Sequence, residues 1–268
     1  MNYLENAIKF LVKYWILALP LLILTALAFL LTGPDTINAG SLLNSYANTG
    51  LLRGMPTSSW FYTAIASLMP SGGGFWLLLL NFAAIPLTYG LVNKNLETGY
   101  ASLGDVGQTL SRNLVKYILY FAGTLILGLA VFIACAIVIL LLGLIMNLLG
   151  VFGNAIMVLV MLAIAIGGIV AVVLLSMWFS AMVVDGLDVV AAAKKSIEIV
   201  RTVFWTVLGI TILVAIICGI VGFILSFLKV IPLLGPIIAS VVPTAQTFVM
   251  IVFLLTLYRE KTGKVNAI

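Results

Sequence analysis

The chain has no histidine and little charge: 8% of its 268 residues are Asp, Glu, Lys or Arg, 13 basic against 8 acidic. Charged residues make up about a quarter of an ordinary soluble domain, so a water-facing surface cannot be covered here. Intrinsic disorder is excluded by the same figures, because it needs low hydrophobicity and high net charge. Without imidazole, a Cys–His catalytic pair is impossible, and the commonest zinc, copper and non-haem iron ligand is missing. Only two cysteines are present, Cys135 and Cys218, each inside a separate apolar stretch and at a different depth, so a disulfide framework is not expected. What is abundant is apolar sequence, 64% of the chain. That composition belongs to a polytopic membrane protein.

A membrane-crossing helix needs about 20 mainly apolar residues. The first such run is Trp15 to Leu31, closed by Thr32-Gly33-Pro34, and the second is Phe75 to Leu91. Between Lys116 and Asp185 no residue is charged, which leaves room for two helices. The Gly and Asn residues of the segment Asn147 to Asn154 mark the turn between them. The last two spans are Trp205 to Leu228 and Ile237 to Tyr258, separated by a connection with two prolines. Six transmembrane helices result. They form an all-α bundle of three hairpins in one integral membrane domain over 1–268: 1–93, 94–185 and 186–268. Lys9, Lys13 and the first apolar run imitate a signal peptide, but the segment is expected to stay as a span.

Counting bases near the span ends gives the orientation. Eleven of the thirteen fall on one side, leaving only Arg53 and Lys229 on the other. Both termini are therefore expected in the cytoplasm of a prokaryotic cell, with the protein in its cytoplasmic membrane.

A similar segment precedes each odd-numbered span: Leu11-Val12-Lys13-Tyr14-Trp15, then Leu114-Val115-Lys116-Tyr117, then Ile199-Val200-Arg201 through Trp205. An aliphatic pair, a base and an aromatic residue repeat at the membrane boundary. The expectation is a cytoplasmic interfacial amphipathic helix feeding each hairpin, three times over; the alternative is a plain charged loop. In the third copy Val189, Val190, Ala193, Ile197, Val200 and Phe204 share one face, with Lys194 and Glu198 paired on the other. Asp188 is placed to cap that helix, and Ser102 with Asp105 to form a capping box in the second. Lys9, Lys13, Arg112, Lys116, Lys194, Lys195 and Arg201 are the expected contacts to lipid headgroups, since membrane lipids are the expected partners. The pI near 9.3 reflects these clusters, and no nucleic-acid partner is expected.

The block Val183-Val184-Asp185-Gly186-Leu187-Asp188, the following Lys194-Lys195-Ser196 and the Arg201-x-x-x-Trp205 step resemble a prokaryotic six-helix membrane family. That family is related to the membrane domain of glycerophosphoryl diester phosphodiesterases. The stretch from Pro243-Thr244 to Leu257-Tyr258-Arg259-Glu260 is similar to its last helix, and the resemblance covers mainly 95–262. It implies a six-helix fold of largely unassigned function. No phosphodiesterase domain is present, so that activity is not implied.

Small-residue spacing points to helix–helix seams at Ala163, Gly167 and Ala171, at Thr211, Ala215 and Gly219, and at Ala130 and Ala134. A channel lined by small residues is the other reading. No ionisable residue lies at mid-membrane, which disfavours a proton relay or sodium coupling. Two spans carry proline with nearby polar groups: Asn81, Pro86 and Thr88, and Pro243, Thr244, Gln246 and Thr247. These are either two kinked helices with internal hydrogen bonds or a polar pocket where the spans meet, built from Asn81, Thr88, Thr244, Gln246 and Thr247.

The outer connection 32–74 is long. Pro56-Thr57-Ser58 caps a short helix bearing Trp60, Phe61 and Tyr62, expected as a passive interfacial element, a lid over a lateral opening, or a docking surface. No catalytic group, cofactor or metal is expected. The favoured function is non-enzymatic: binding or moving a lipid or other hydrophobic molecule. The alternatives are a permease or accessory subunit of a larger complex such as an ABC-type exporter, with a protein partner in the membrane, and a structural or regulatory membrane protein.

Overall fold

The computed structural model describes residues 2–32, 72–149, 151–226 and 234–264. All regular structure among them is helical: α1 (Asn2–Lys13), a 3-10 turn (Trp15–Ala18), α2 (Leu19–Thr32), α3 (Gly72–Thr98), α4 (Val106–Leu149), α5 (Val151–Leu174), α6 (Trp178–Val184), α7 (Val189–Ser226) and α8 (Leu234–Lys261). Among the described residues, four helices are long and apolar enough to cross a membrane, and up to five if the bent pair α1–α2 is taken as one span. The turn expected within 147–154 falls where α4 ends and α5 begins.

The three expected interfacial helices turn out differently from one another. The first exists as a separate element, and the chain bends by 90° between it and the helix that follows. The bend has a local cause. Pro20 has no N–H to give Ile16, so the carbonyl of Ile16 instead accepts from Leu19 and the turn tightens to 3-10 geometry. Tyr14, at φ −120° and ψ 33°, carries the corner. In the third copy the helix is continuous but kinked at Val203 (φ −128°, ψ 22°). The second copy departs from expectation: after a 3-10 turn at Leu103–Asp105, α4 runs unbroken through Lys116 for 44 residues. Nothing between Val106 and Tyr117 interrupts the i to i−4 ladder, so there is no corner.

The caps behave as their chemistry requires. The backbone N–H of Ala191 donates to Asp188 Oδ1 at 2.9 Å, and that of Ser102 donates to Asp105 Oδ2 at 3.0 Å. Two side-chain expectations on the third copy are corrected. Glu198 pairs with Lys195 at 3.2 Å, not with Lys194. The buried stripe is Ala192, Ser196, Ile199, Val200 and Val207, while Val190 is exposed. Ser196 explains the rotation: its hydroxyl donates to the Leu174 carbonyl at 2.8 Å and accepts from the Met177 N–H at 3.2 Å. It thereby satisfies backbone groups freed where α5 breaks before α6.

The bundle has two zones. At one end, which carries Lys94, Asp105, Asp185, Arg259 and Lys264, side chains are buried as in a soluble core: Leu91, Val92, Leu96, Met177, Met182, Val200, Leu255, Leu257 and Tyr258. Away from it the helices splay. The most apolar window of α4 contains no buried residue, and those of α5 and α7 contain few. Ile126, Val131, Leu159, Leu162, Ile166, Val172, Ile216, Ile220 and Phe223 all face outward.

The expected seams lie in this outward zone. Ala163, Gly167, Ala171, Ala215, Gly219, Ala130 and Ala134 are exposed, and a Cβ built on Gly167 or Gly219 meets nothing within 4 Å. Close packing occurs elsewhere. A Cβ on Gly90 would lie 2.5 Å from Asn113 Nδ2, and one on Gly123 would lie 2.7 Å from Val189. Gly90 on α3 lets that helix approach α4, and Gly123 on α4 lets it approach α6 and α7.

Candidate functional site

α1 lies against α8 with Phe10 and Phe248 6.2 Å apart between ring centroids. Its residues Leu4, Ile8 and Leu11, at i, i+4 and i+7, form a ridge facing α7 and α8. The ridge does not fill the space in front of it. On one side, Leu4, Glu5, Ile8 and Lys9 face Trp205, Thr206, Gly209, Ile210 and Leu213 of α7 across a cavity of about 730 Å³. On the other, Leu4, Ile8 and Leu11 face Val214, Ile217, Cys218 and Val221 of α7 and Val241, Val242, Ala245 and Val249 of α8 across about 200 Å³. Leu4 and Ile8 line both, so the two compartments form one groove with α1 lying across it.

The groove is polar at one end only. Glu5 and Lys9 pair at 2.7 Å on the larger compartment, both mostly exposed, and the Trp205 ring beside them is 80% exposed. The smaller compartment has apolar walls and one free thiol, Cys218. A Cβ on Gly209 meets nothing within 4 Å, so the absence of a side chain there keeps the larger compartment open. One on Gly222 lies 3.8 Å from Val242, where α7 and α8 approach each other.

The expected polar pocket is not one of these cavities. Thr88 is fully buried, and its hydroxyl donates to the Ala84 carbonyl at 2.7 Å, one turn before it. Thr244 is buried with no hydrogen-bond partner on its hydroxyl, and Gln246 and Thr247 are half-buried. The side chain of Asn81 lies outside those described, as do Trp60, Phe61 and Tyr62 of the expected lid. Of the expected headgroup contacts, Lys9, Lys13, Arg112, Lys194 and Arg201 are exposed, and Lys116 and Lys195 are half-buried. Lys13 lies over the Tyr14 ring at 5.0 Å.

Sequence reasoning did not single out the polar lock at the charged end. Tyr258 donates to Asp185 Oδ2 at 2.6 Å, and Lys264 reaches Asp185 Oδ1 at 2.7 Å and the Val184 carbonyl at 3.2 Å. Burial disfavours the Asp185 charge, but the Lys264 and Tyr258 hydrogen bonds outweigh it and hold the carboxyl below its usual range. Arg259 donates to Asn93 Oδ1 at 3.1 Å, and Lys94 pairs with Asp105 at 2.8 Å. Beside the lock, Tyr89, Tyr117, Tyr120 and Phe179 make mutual ring contacts at 4.7 to 5.8 Å. Trp178 Nε1 donates to the Val189 carbonyl at 2.7 Å. Among the described residues, no three His, Cys, Asp or Glu side chains come together as a metal site.

A family described as "Domain of unknown function (DUF7847)" matches residues 14–258. The chain belongs to that family. The match covers the helices described above except α1 and the last residues of α8, so one wall of the groove lies outside the matched residues. Neither a curated protein nor a solved structure matches this member.

Proposed function

We propose that this family member is a six-span protein of the prokaryotic cytoplasmic membrane, with its charged end and both termini in the cytoplasm, and that it binds a lipid or similar hydrophobic molecule without catalysing a reaction on it. The observation that carries the reading is the groove between α1, α7 and α8, apolar inside and polar at one edge. Apolar pockets with a few polar groups at one end are what hydrophobic ligands require. The sixth span is α3, whose 27 residues are long enough to cross. The bias of eleven bases to one side supports the orientation. With Trp205 and Lys9 at headgroup level, the groove opens sideways into the inner leaflet, and the buried core at the charged end stands in the cytoplasm.

The test is lipid retention. The protein is extracted into detergent, exchanged into amphipol and weighed by native mass spectrometry. Retained phospholipid near one per chain is expected, and Gly209→Trp, which fills the larger compartment, should lose it. Equal retention by the two proteins, or none by either, contradicts the reading.

A second reading, an accessory subunit of a larger membrane complex, is favoured by the outward small residues Ala163, Gly167 and Ala171. Cross-linking in native membranes from Gly167→Cys would then trap one discrete heterologous band, and its absence would discard this reading.

A further inference from the structure

We infer that the occupant of the groove is a phospholipid with a zwitterionic headgroup, one acyl chain passing α1 into the smaller compartment. This rests on the lipid-binding reading above and adds the ligand's charge type and its direction in the site.

The inference starts from the charges. Among the described residues lining either compartment, Glu5 and Lys9 are the only charged ones, and they sit together at the edge, 2.7 Å apart. The edge therefore carries a dipole and no net charge. An anionic headgroup arriving at Lys9 would also meet the Glu5 carboxylate, and a cationic one at Glu5 would meet Lys9. A headgroup whose phosphate and ammonium are joined by a two-carbon bridge can place its phosphate on Lys9 and its ammonium on Glu5, so that all four charges are compensated. The exposed Trp205 ring supplies a second contact for the ammonium, since a cation is attracted to an indole face.

The chain direction follows from the other compartment. Apart from the Cys218 thiol it offers no side-chain polar group, and water needs two to four polar partners to occupy such a space. Hydrocarbon has no such need. Leu4 and Ile8 border both compartments, so a chain anchored at Glu5 and Lys9 runs past them towards Ile217 and Val221. The combined space is of the order found for small-molecule pockets, roughly 300–1,000 Å³. A headgroup and part of one chain fit within it, and the second chain stays in the bilayer.

The experiment reconstitutes the full chain in vesicles doped in turn with phosphatidylethanolamine, phosphatidylglycerol or diacylglycerol, each carrying a photoreactive group at the end of one acyl chain. Adducts are mapped by peptide mass spectrometry. Adducts on 4–11 and 214–221 with phosphatidylethanolamine about fivefold above phosphatidylglycerol, a ratio fitting one like-charge contact at about 4 Å in water, and also above uncharged diacylglycerol support the inference. Glu5→Gln should erase the preference over phosphatidylglycerol, and Glu5→Lys should reverse it. Equal labelling of these segments by all three lipids overturns the headgroup assignment and leaves the lipid-binding reading standing. No labelling of these segments by any of them overturns both.

Discussion

Tyr258 and Asp185 are 73 residues apart and joined by a 2.6 Å hydrogen bond at the charged end of the bundle. The same carboxylate holds Lys264, so one Asp ties the connection after α6 to the end of α8 and to the tail beyond it. In lipid, apolar burial does not drive helices together, because acyl chains are as apolar as leucine. On the proposed cytoplasmic placement of the charged end, it does there. The lock sits where the buried core is, and these two features together fix how the bundle closes.

Tyr258→Phe removes one hydrogen bond to a charged acceptor and is expected to cost about 1.5–3 kcal/mol. Thermal unfolding in detergent measures it. A Tyr258→Phe protein with an unchanged midpoint would show that the bond carries no stability.

Asp185 also predicts a pH effect. Its folded value is depressed, so its contribution is fully present above the unfolded carboxylate value of about 3.9 and is lost as pH falls through the lower folded value. Lowering the pH through and below 3.9 should therefore destabilise the wild type more than Asp185→Asn. Parallel pH profiles of the two proteins would contradict this.

The glycines divide into two classes. Gly90→Ala places a methyl 2.5 Å from Asn113 Nδ2 and 2.8 Å from Thr109 Cβ, and overpacking of this kind costs about 1–3 kcal/mol. Gly167→Ala meets nothing within 4 Å and adds helix propensity, so its midpoint should not fall. Melting curves of the pair rank them, and a larger loss for Gly167→Ala would refute the packing described.

This contrast shows where the sequence was legible. The long apolar character of α4, α5, α7 and α8, the Asp188 cap and the Ser102–Asp105 box depend on nearest neighbours in the chain, and local chemistry specified them. The seams at Ala163, Gly167 and Ala171 were misread because small residues permit close approach without supplying a partner helix. The third apolar face was placed in part: Val200 is buried and Val189, Ala193 and Phe204 pack against the core, but Val190 is exposed and Ser196 is buried. Hydropathy alone disfavours burying Ser196, yet the broken backbone at Leu174 and Met177 requires its hydroxyl. The groove was half visible: Leu4, Ile8 and Leu11 have helical spacing and Pro20 sets a corner after α1, but nothing local set the direction of α1 across α7 and α8.

Ser196→Ala tests that bridge. It strips partners from the Leu174 carbonyl and the Met177 N–H, and a buried group left unsatisfied costs about 1–3 kcal/mol. Ser111→Ala, at an exposed site on α4, serves as the comparison and should change little. Hydrogen exchange at 175–178 should rise in Ser196→Ala, and unchanged protection there would argue against the bridge.

α1 lies across α7 as one wall of the groove, and Cys218 is a native probe inside it. In a Cys135→Ala protein, Ile8→Cys would place a second thiol on the same compartment. The account predicts rapid intramolecular cross-linking of this pair in membranes by a short bifunctional maleimide, slowed when phospholipid is loaded and restored when it is removed. Failure of the pair to cross-link would contradict the placement of α1, and a rate indifferent to lipid would contradict the groove's occupancy.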